Sequence, residues 1–298
     1  MSAAPRSVAG HDVVVVGSAN LDLVANVEHL PAPGETVIGT DYAEHPGGKG
    51  LNQAVAARRA GATTAFLGCL GSDAAGDSLH QLLHAEGIDR LVTDVSGPTG
   101  RALIAVDSKA ENSIVVIPGA NASLSIGIVD DHREAIARAG VVLCQLEVPL
   151  DAIESALAIG RLGGAKTVLN PAPAQDLPRG LLELCDIVVP NQTEMAQLGG
   201  TSALLDAGVS TVIITLGARG IRVVTKDGQW DIPPFVVRAI DTTGAGDAAC
   251  GALAAALATG ADVLTAARRA SAAGALAATR RGAVPSLPTA DEIDALVN

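Results

Sequence analysis

Val13-Val14-Val15-Val16-Gly17-Ser18-Ala19-Asn20 is the stretch from which the fold is read. Its β-branched run has no polar alternation, so both faces of the strand are buried, as in a parallel sheet. Similar short apolar runs recur at 64–67, 141–146, 167–169, 187–189 and 212–215. Alanine-rich helical stretches lie between them, at 52–60, 78–86, 129–139 and 151–161. Strand and helix alternating at this spacing predict a doubly wound, mostly parallel α/β sheet flanked by helices. The last third reads as helical, over 245–259, 262–279 and 290–297.

Two regions break the rhythm. Segments 23–28 with 35–38, and 101–107 with 112–117, read as hairpin strands inserted between βα units. Residues 102–106 and 114–117 are apolar on both faces, so a small sheet there needs two covers. A ligand cleft supplies one and a second subunit the other. The expectation is a single catalytic domain over 1–298, with a β lid built from insertions at about 22–46 and 99–118, and a homodimer through that lid.

Composition narrows the function. A length of 298 residues buries a sizeable core without staples. A net charge of -12 argues against a non-specific nucleic-acid binder, which needs a basic face. Cys69, Cys144, Cys185 and Cys250 form no CxxC pair and sit in apolar company, which points to a reducing cytosol. Residues 1–10 lack the apolar core of a signal peptide, and 248–261 is too short to span a membrane, so a cytoplasmic protein without membrane attachment is expected. Among the histidines, His80 and His84 alone are close in sequence, and that pair reads as surface or packing.

Ligands of open α/β sheets bind beyond the carboxyl ends of the strands. Polar residues collect there: Asn20 and Asp22 after the first run, Glu147, Asn170, Asn191 with Glu194, and Thr215 with Gly217 and Gly220. Gly47-Gly48-Lys49-Gly50-Leu51-Asn52-Gln53-Ala54 leads into a helix and on spacing alone reads as a helix-entry turn capped by Asn52. It lacks the Walker A spacing. Asp241-Thr242-Thr243-Gly244-Ala245-Gly246-Asp247 opens the helix at 245. Small residues there expose amides at the positive end of a helix dipole, an anion hole for a moving phosphoryl group. Asp247 reads either as a helix-terminus carboxylate or as the acceptor of a hydroxyl proton, and both roles can hold at once.

The two glycine clusters resemble the paired signatures of the PfkB carbohydrate kinases, a family with the ribokinase-like fold. Supporting segments are 17–22, 33–37, 119–122, 145–147, 170–174, 190–194, 215–220 and 279–286. The resemblance implies ATP-dependent phosphorylation of D-ribose at its 5-hydroxyl, with another sugar (deoxyribose, fructose) or a nucleoside as the alternative substrate and a non-catalytic sugar or nucleotide sensor as a third reading. It implies Asp247 as proton acceptor and the Gly244, Ala245 and Gly246 amides as phosphate donors. It places Asn20, Leu21, Asp22, Gly48, Lys49, Gly50, Leu51, Asn52 and Glu147 on the sugar. Asn191, Thr215, Leu216, Gly217, Ala218, Arg219, Gly220, Gly246 and Ser271 fall on the nucleotide. Mg2+ would accompany ATP, with Glu194 not a direct ligand, and an activating K+ would sit at Asp241, Thr243, Ala277, Arg280, Gly282 and Ser286. Leu51 departs from the family's usual alanine and either reshapes the pocket or enters the core. Ser271 departs from its asparagine or histidine near the adenine.

Overall fold

The computed structural model describes residues 10–109 and 111–298; most of the 1–10 segment read above for a signal peptide lies outside them. The strands are, in chain order, β1 (Val13–Val16), β2 (Asn20–Asn26), β3 (Asp41–Gly47), β4 (Thr64–Gly71), β5 (Asp89–Val95), β6 (Gly100–Val106), β7 (Asn112–Ile117), β8 (Val141–Cys144), β9 (Lys166–Leu169), β10 (Ile187–Val188), β11 (Thr211–Thr215), β12 (Ile221–Thr225) and β13 (Gly228–Ile232). One sheet runs β13-β12-β11-β10-β9-β8-β1-β4-β5, parallel from β11 to β5, with β12 and β13 added antiparallel. A separate sheet runs β3-β2-β6-β7.

The valine run is central and does what its composition demands. Val13 and Val15 enter one core cluster, and Val14 and Val16 the cluster on the opposite face. The first cluster is covered by the Lys49–Arg59, Ala245–Ala258 and Val263–Ala277 helices, the second by the Leu150–Gly163 helix among others. With few aromatics, the first core closes by drawing helices together over alanine and glycine. An added Cβ at Gly251 would lie 2.6 Å from Ala57 N and 2.8 Å from Gln53 O, and would also collide with Ala56 Cβ. That close approach places Gln53 alongside the first turn of the Ala245–Ala258 helix.

Two expectations need correction. The partner of the 23–28 segment is β3, not 35–38: β2 pairs with β3 in the register Asn20↔Gly47 to Asn26↔Asp41. Residues 35–38 lie in a loop with Pro31, Pro33 and Gly34, where Glu35 accepts from Ala32 N, and Ile38 is exposed. Pro46 is tolerated in β3 because that strand is an edge. The helix expected over 129–139 is two short ones, Ile126–Asp131 and Arg133–Ala137, broken at His132.

The Gly100–Val106 and Asn112–Ile117 pair forms as expected, in register from Arg101↔Ile117 to Val106↔Asn112. β7 is exposed along its length, with Ile114, Val115, Val116 and Ile117 turned out to solvent. No helix among the described residues is long and apolar enough to cross a membrane.

Candidate active site

The site is assembled where β1 ends and two helices begin. Gly48 caps the Lys49–Arg59 helix at φ 89°, with no side-chain cap. A Cβ there would lie 2.9 Å from Ala19 Cα and Asn20 N, so only glycine lets this loop lie on the β1–β2 turn. Asn52 is thus not the cap its position suggested. It sits within the helix and turns its side chain toward the second glycine cluster.

There, the Ala245–Ala258 helix begins after Gly244 (φ 75°), again without a side-chain cap. Asp247 is in its first turn and buried. Asn52 Nδ2 donates to Asp247 Oδ2 at 3.0 Å, and Gln53 Nε2 donates to Asp247 Oδ1 at 2.9 Å. Burial raises the Asp247 pKa; the Lys49 ammonium and the two carboxamides oppose this without cancelling it, and Glu147 adds to it. Lys49 is itself disfavoured as a cation by burial, but the charges of Asp247, Glu147 and Glu194 outweigh that and raise its pKa.

A chamber of about 210 Å³ is lined by Lys49, Asn170, Asn191, Glu194, Gly244, Gly246, Asp247 and Cys250, among others. A larger, mostly apolar cavity of about 390 Å³ adjoins it, sharing Thr215, Thr242 and Gly246. Its lining includes Gly217, Ala218, Gly220, Phe235, Ala245 and Ser271. Ala245 N–H donates to Thr242 O at 3.2 Å and Ala245 lines the larger cavity, whereas Gly244, Gly246 and Asp247 open onto the chamber. Ala245 thus stands on the wall of the larger cavity, whereas the resemblance placed its amide on the phosphate beside those of Gly244 and Gly246.

Beside the chamber, Asn20, Asp22, Gly48 and Glu147 come together. Glu147 Oε2 accepts from Ser18 Oγ at 2.5 Å and from Lys49 N at 3.0 Å. Asn20 Oδ1 accepts from Asn121 Nδ2 at 2.8 Å. Burial, with the charges of Glu147 and Asp247, pushes Asp22 up to about 6. Leu51 is corrected as a side-chain contact: it is fully buried in the apolar core, and its N–H donates to Ser18 O. Leu216 likewise packs against the core, and neither it nor Arg219 lines the larger cavity.

Asn191 and Glu194 form a capping box at the Gln192–Gln197 helix. Among the described residues no group of three His, Cys, Asp or Glu could hold a metal ion. The Asp241 and 279–286 segments are brought together. Asp241 Oδ2 accepts from Gly282 N at 2.8 Å, and Oδ1 from Thr243 N and Oγ1 at 2.9 and 2.7 Å. Partial burial opposes its ionisation, but these donors prevail and lower its pKa. The Arg280 guanidinium is engaged by Glu292.

A helix-start carboxylate faces a polar chamber that joins a larger apolar cavity, an arrangement that suits a kinase. The model of the pfkB family carbohydrate kinases matches residues 11–290, and the chain belongs to that family. It is 43% identical over 294 residues to the ribokinase of Haemophilus influenzae, covering 94% of this chain and 96% of that protein. It is 42% identical over 302 residues to the bifunctional ribokinase/ribose-5-phosphate isomerase A of Fructilactobacillus sanfranciscensis, covering 96% of this chain and 56% of that longer protein. The structure of Arabidopsis thaliana ribokinase complexed with ribose and ATP matches with a TM-score of 0.88 at 30% identity, covering 97% of this chain and 99% of that one.

Gln53, Gln145 and Asn121 escaped assignment from sequence. All three stood inside segments named above, but a carboxamide in a helix, in a turn or just past a strand carries no mark of which neighbour it will meet.

Proposed function

We propose that this chain transfers the γ-phosphoryl group of ATP to the 5-hydroxyl of D-ribose. The observation that carries the reading is the Asp247 carboxylate, buried, donor-clamped and open to the chamber between the sugar residues and the larger cavity. The hydroxyl oxygen attacks the γ-phosphorus, and its proton passes to an Asp247 oxygen. The bond from that phosphorus to the oxygen bridging to the β-phosphate breaks, and its electron pair leaves on ADP. The Gly244 and Gly246 region at the helix start faces the developing phosphoryl charge. Lys49 adds a cation on the same wall.

Asn20, Asp22, Asn52 and Glu147, with the main chain of 48–50, offer paired donors and acceptors to a polyol. The larger cavity, with Thr215, Gly217, Ala218, Gly220 and Ser271, suits a nucleotide base and ribose. A Mg2+ would be held chiefly by ATP phosphates and water and would neutralise phosphate charge, with Asn191 and Glu194 lining the chamber beside it. The anionic oxygen of Asp241, braced against the 279–286 turn, fits a monovalent cation such as K+ with main-chain carbonyls as its companions.

The same reading makes the chain one catalytic domain with β2, β3, β6 and β7 as a lid. The exposed apolar face of β7 supports a homodimer through that lid. The four free, buried cysteines support a reducing cytosol.

A panel of sugars and nucleosides with ATP, read as ADP release, tests the reading. Ribose is expected to lead in kcat/KM over deoxyribose, fructose and adenosine, and Asp247→Asn is expected to bind ADP but lose nearly all turnover. A nucleoside far ahead of ribose refutes the substrate. Near-normal turnover in Asp247→Asn refutes the mechanism.

A further inference from the structure

The carboxylate of Asp247 is held by a chain of uncharged amides that runs away from the chamber into the protein. Gln53 Nε2 donates to Asp247 Oδ1 at 2.9 Å and also to Asn170 Oδ1 at 3.0 Å. Gln145 Nε2 donates to Gln53 Oε1 at 2.7 Å. Asn170 Nδ2 donates to Val189 O at 2.8 Å. Gln53 and Gln145 are fully buried.

The polarity of this chain is fixed from its far end. The Val189 carbonyl can only accept, so Asn170 must turn its NH2 toward it and its oxygen toward Gln53. Gln53 must then present its NH2 to Asn170 and Asp247, and its oxygen to Gln145. A flipped Gln53 would set carbonyl oxygen against carboxylate oxygen. The backbone makes room for the arrangement: a Cβ at Gly17 would collide with the Gln145 carboxamide.

We propose that Gln53 is a positioning residue for Asp247, oriented by Gln145 and Asn170, which fixes the direction in which the carboxylate receives the substrate proton. The inference rests on the phosphoryl-transfer reading above. Asn52 holds the other carboxylate oxygen, so two consecutive side chains of one helix grip both. The charged or titratable groups facing Asp247 are Lys49 on that helix, Asp22 on β2, Glu147 after β8, Glu194 on the Gln192–Gln197 helix and Cys250 one turn on. None of these changes when Gln53 does.

Gln53→Met keeps length and removes both donors. Its kcat with ribose and ATP is expected to fall about 10- to 100-fold, with KM for ribose little changed. The acid limb of kcat moves to higher pH, because an N–H that favours the ionised carboxylate is gone. Gln145→Met, which frees Gln53 to rotate, shifts both quantities in the same direction by less. ADP affinity by calorimetry, unchanged in both variants, shows that the site remains folded. If Gln53→Met does not fold, Gln145→Met decides by the same two readouts. The titration of the Asp247 carboxyl, followed by 13C NMR in wild type and variant, reads the shift without turnover. A wild type inactive on every sugar then defeats the kinase reading alone. Unchanged kcat, or a lower kcat with an unmoved acid limb and carboxyl titration, overturns the positioning role.

Discussion

Gly251→Ala separates two opposed effects of one methyl group. In an open helix the change removes a glycine and gains about 0.5–1 kcal/mol. At Gly251 the new Cβ meets Ala57 N at 2.6 Å and Gln53 O at 2.8 Å. These are main-chain atoms, which cannot swing aside as a flexible side chain would, so the Lys49–Arg59 and Ala245–Ala258 helices must separate. Overpacking of this kind costs roughly 1–3 kcal/mol, and three close contacts place the cost in the upper half of that range, so a net loss of about 1–2.5 kcal/mol remains after the propensity gain. For a domain of this size that lowers Tm by about 2–4 °C. Activity should suffer more than stability. The displaced helix carries Asn52 and Gln53, whose carboxamides hold Asp247, and misplacement of a catalytic group by about 1 Å costs on the order of 100-fold. Thermal melting and ADP release at saturating ribose measure the two effects. Gly180→Ala is the control: it lies in the Arg179–Glu183 helix, a Cβ there meets nothing within 4 Å, and a small gain in Tm is expected. Gly251→Ala melting at or above wild type with full kcat refutes this account of the packing.

Asp22, pushed up to about 6 by burial and by Glu147 and Asp247, binds protons more tightly folded than unfolded. Stability therefore falls as pH rises from about 4 to 6, and Asp22→Asn should melt above wild type at pH 8, with the advantage fading toward pH 4; a constant difference across that range refutes the burial argument. Asp241→Asn should lose any rate advantage of potassium over a large organic cation, and equal wild-type rates in the two salts remove the cation site. Val115→Glu, on the exposed face of β7, should keep the proposed dimer from forming, read by light scattering, while leaving the fold intact; a monomeric wild type at working concentration ends the lid-dimer proposal.

What the sequence made legible follows from where its information is local. The parallel sheet was readable because Val13–Val16 lacks alternation, and burial on both faces is the one environment that tolerates this. The uncapped helix start at Ala245 was readable because glycine and small residues there mark a turn that leaves main-chain amides open. The register of the smaller sheet was not. Segment 35–38 is as apolar as a strand, but Pro31, Pro33 and Gly34 hold it in a loop, and the true partner, Asp41-Tyr42-Ala43-Glu44-His45-Pro46-Gly47, is polar because it is a solvated edge. Strand β13 was missed for a similar reason: it is mostly exposed and carries a short polar pattern. In the site, Asp247 was legible and its clamp was not. Asn52 read as a cap because carboxamides favour caps, and only the contact between distant helices at Gly251 turns Asn52 and Gln53 toward a residue almost two hundred positions away.

The choice of partners around Asp247 has a chemical consequence. A general base must be ionised before the reaction yet accept a proton during it, so its proton affinity is best raised above that of an ordinary carboxylate but not beyond the working pH. Burial in an alanine-rich helix supplies the rise. A directly paired arginine would cancel it, by holding the carboxylate too firmly in its charged form. Carboxamides are the intermediate solution. They satisfy both oxygens, they do not titrate, and each N–H favours the anion by less than a full charge would. Lys49 remains on the same chamber wall, among the residues that would face the phosphate. On the proposed mechanism the base would be oriented by amides and the phosphate charge met by the cation and helix start, which would let one small chamber serve two groups of the same sign.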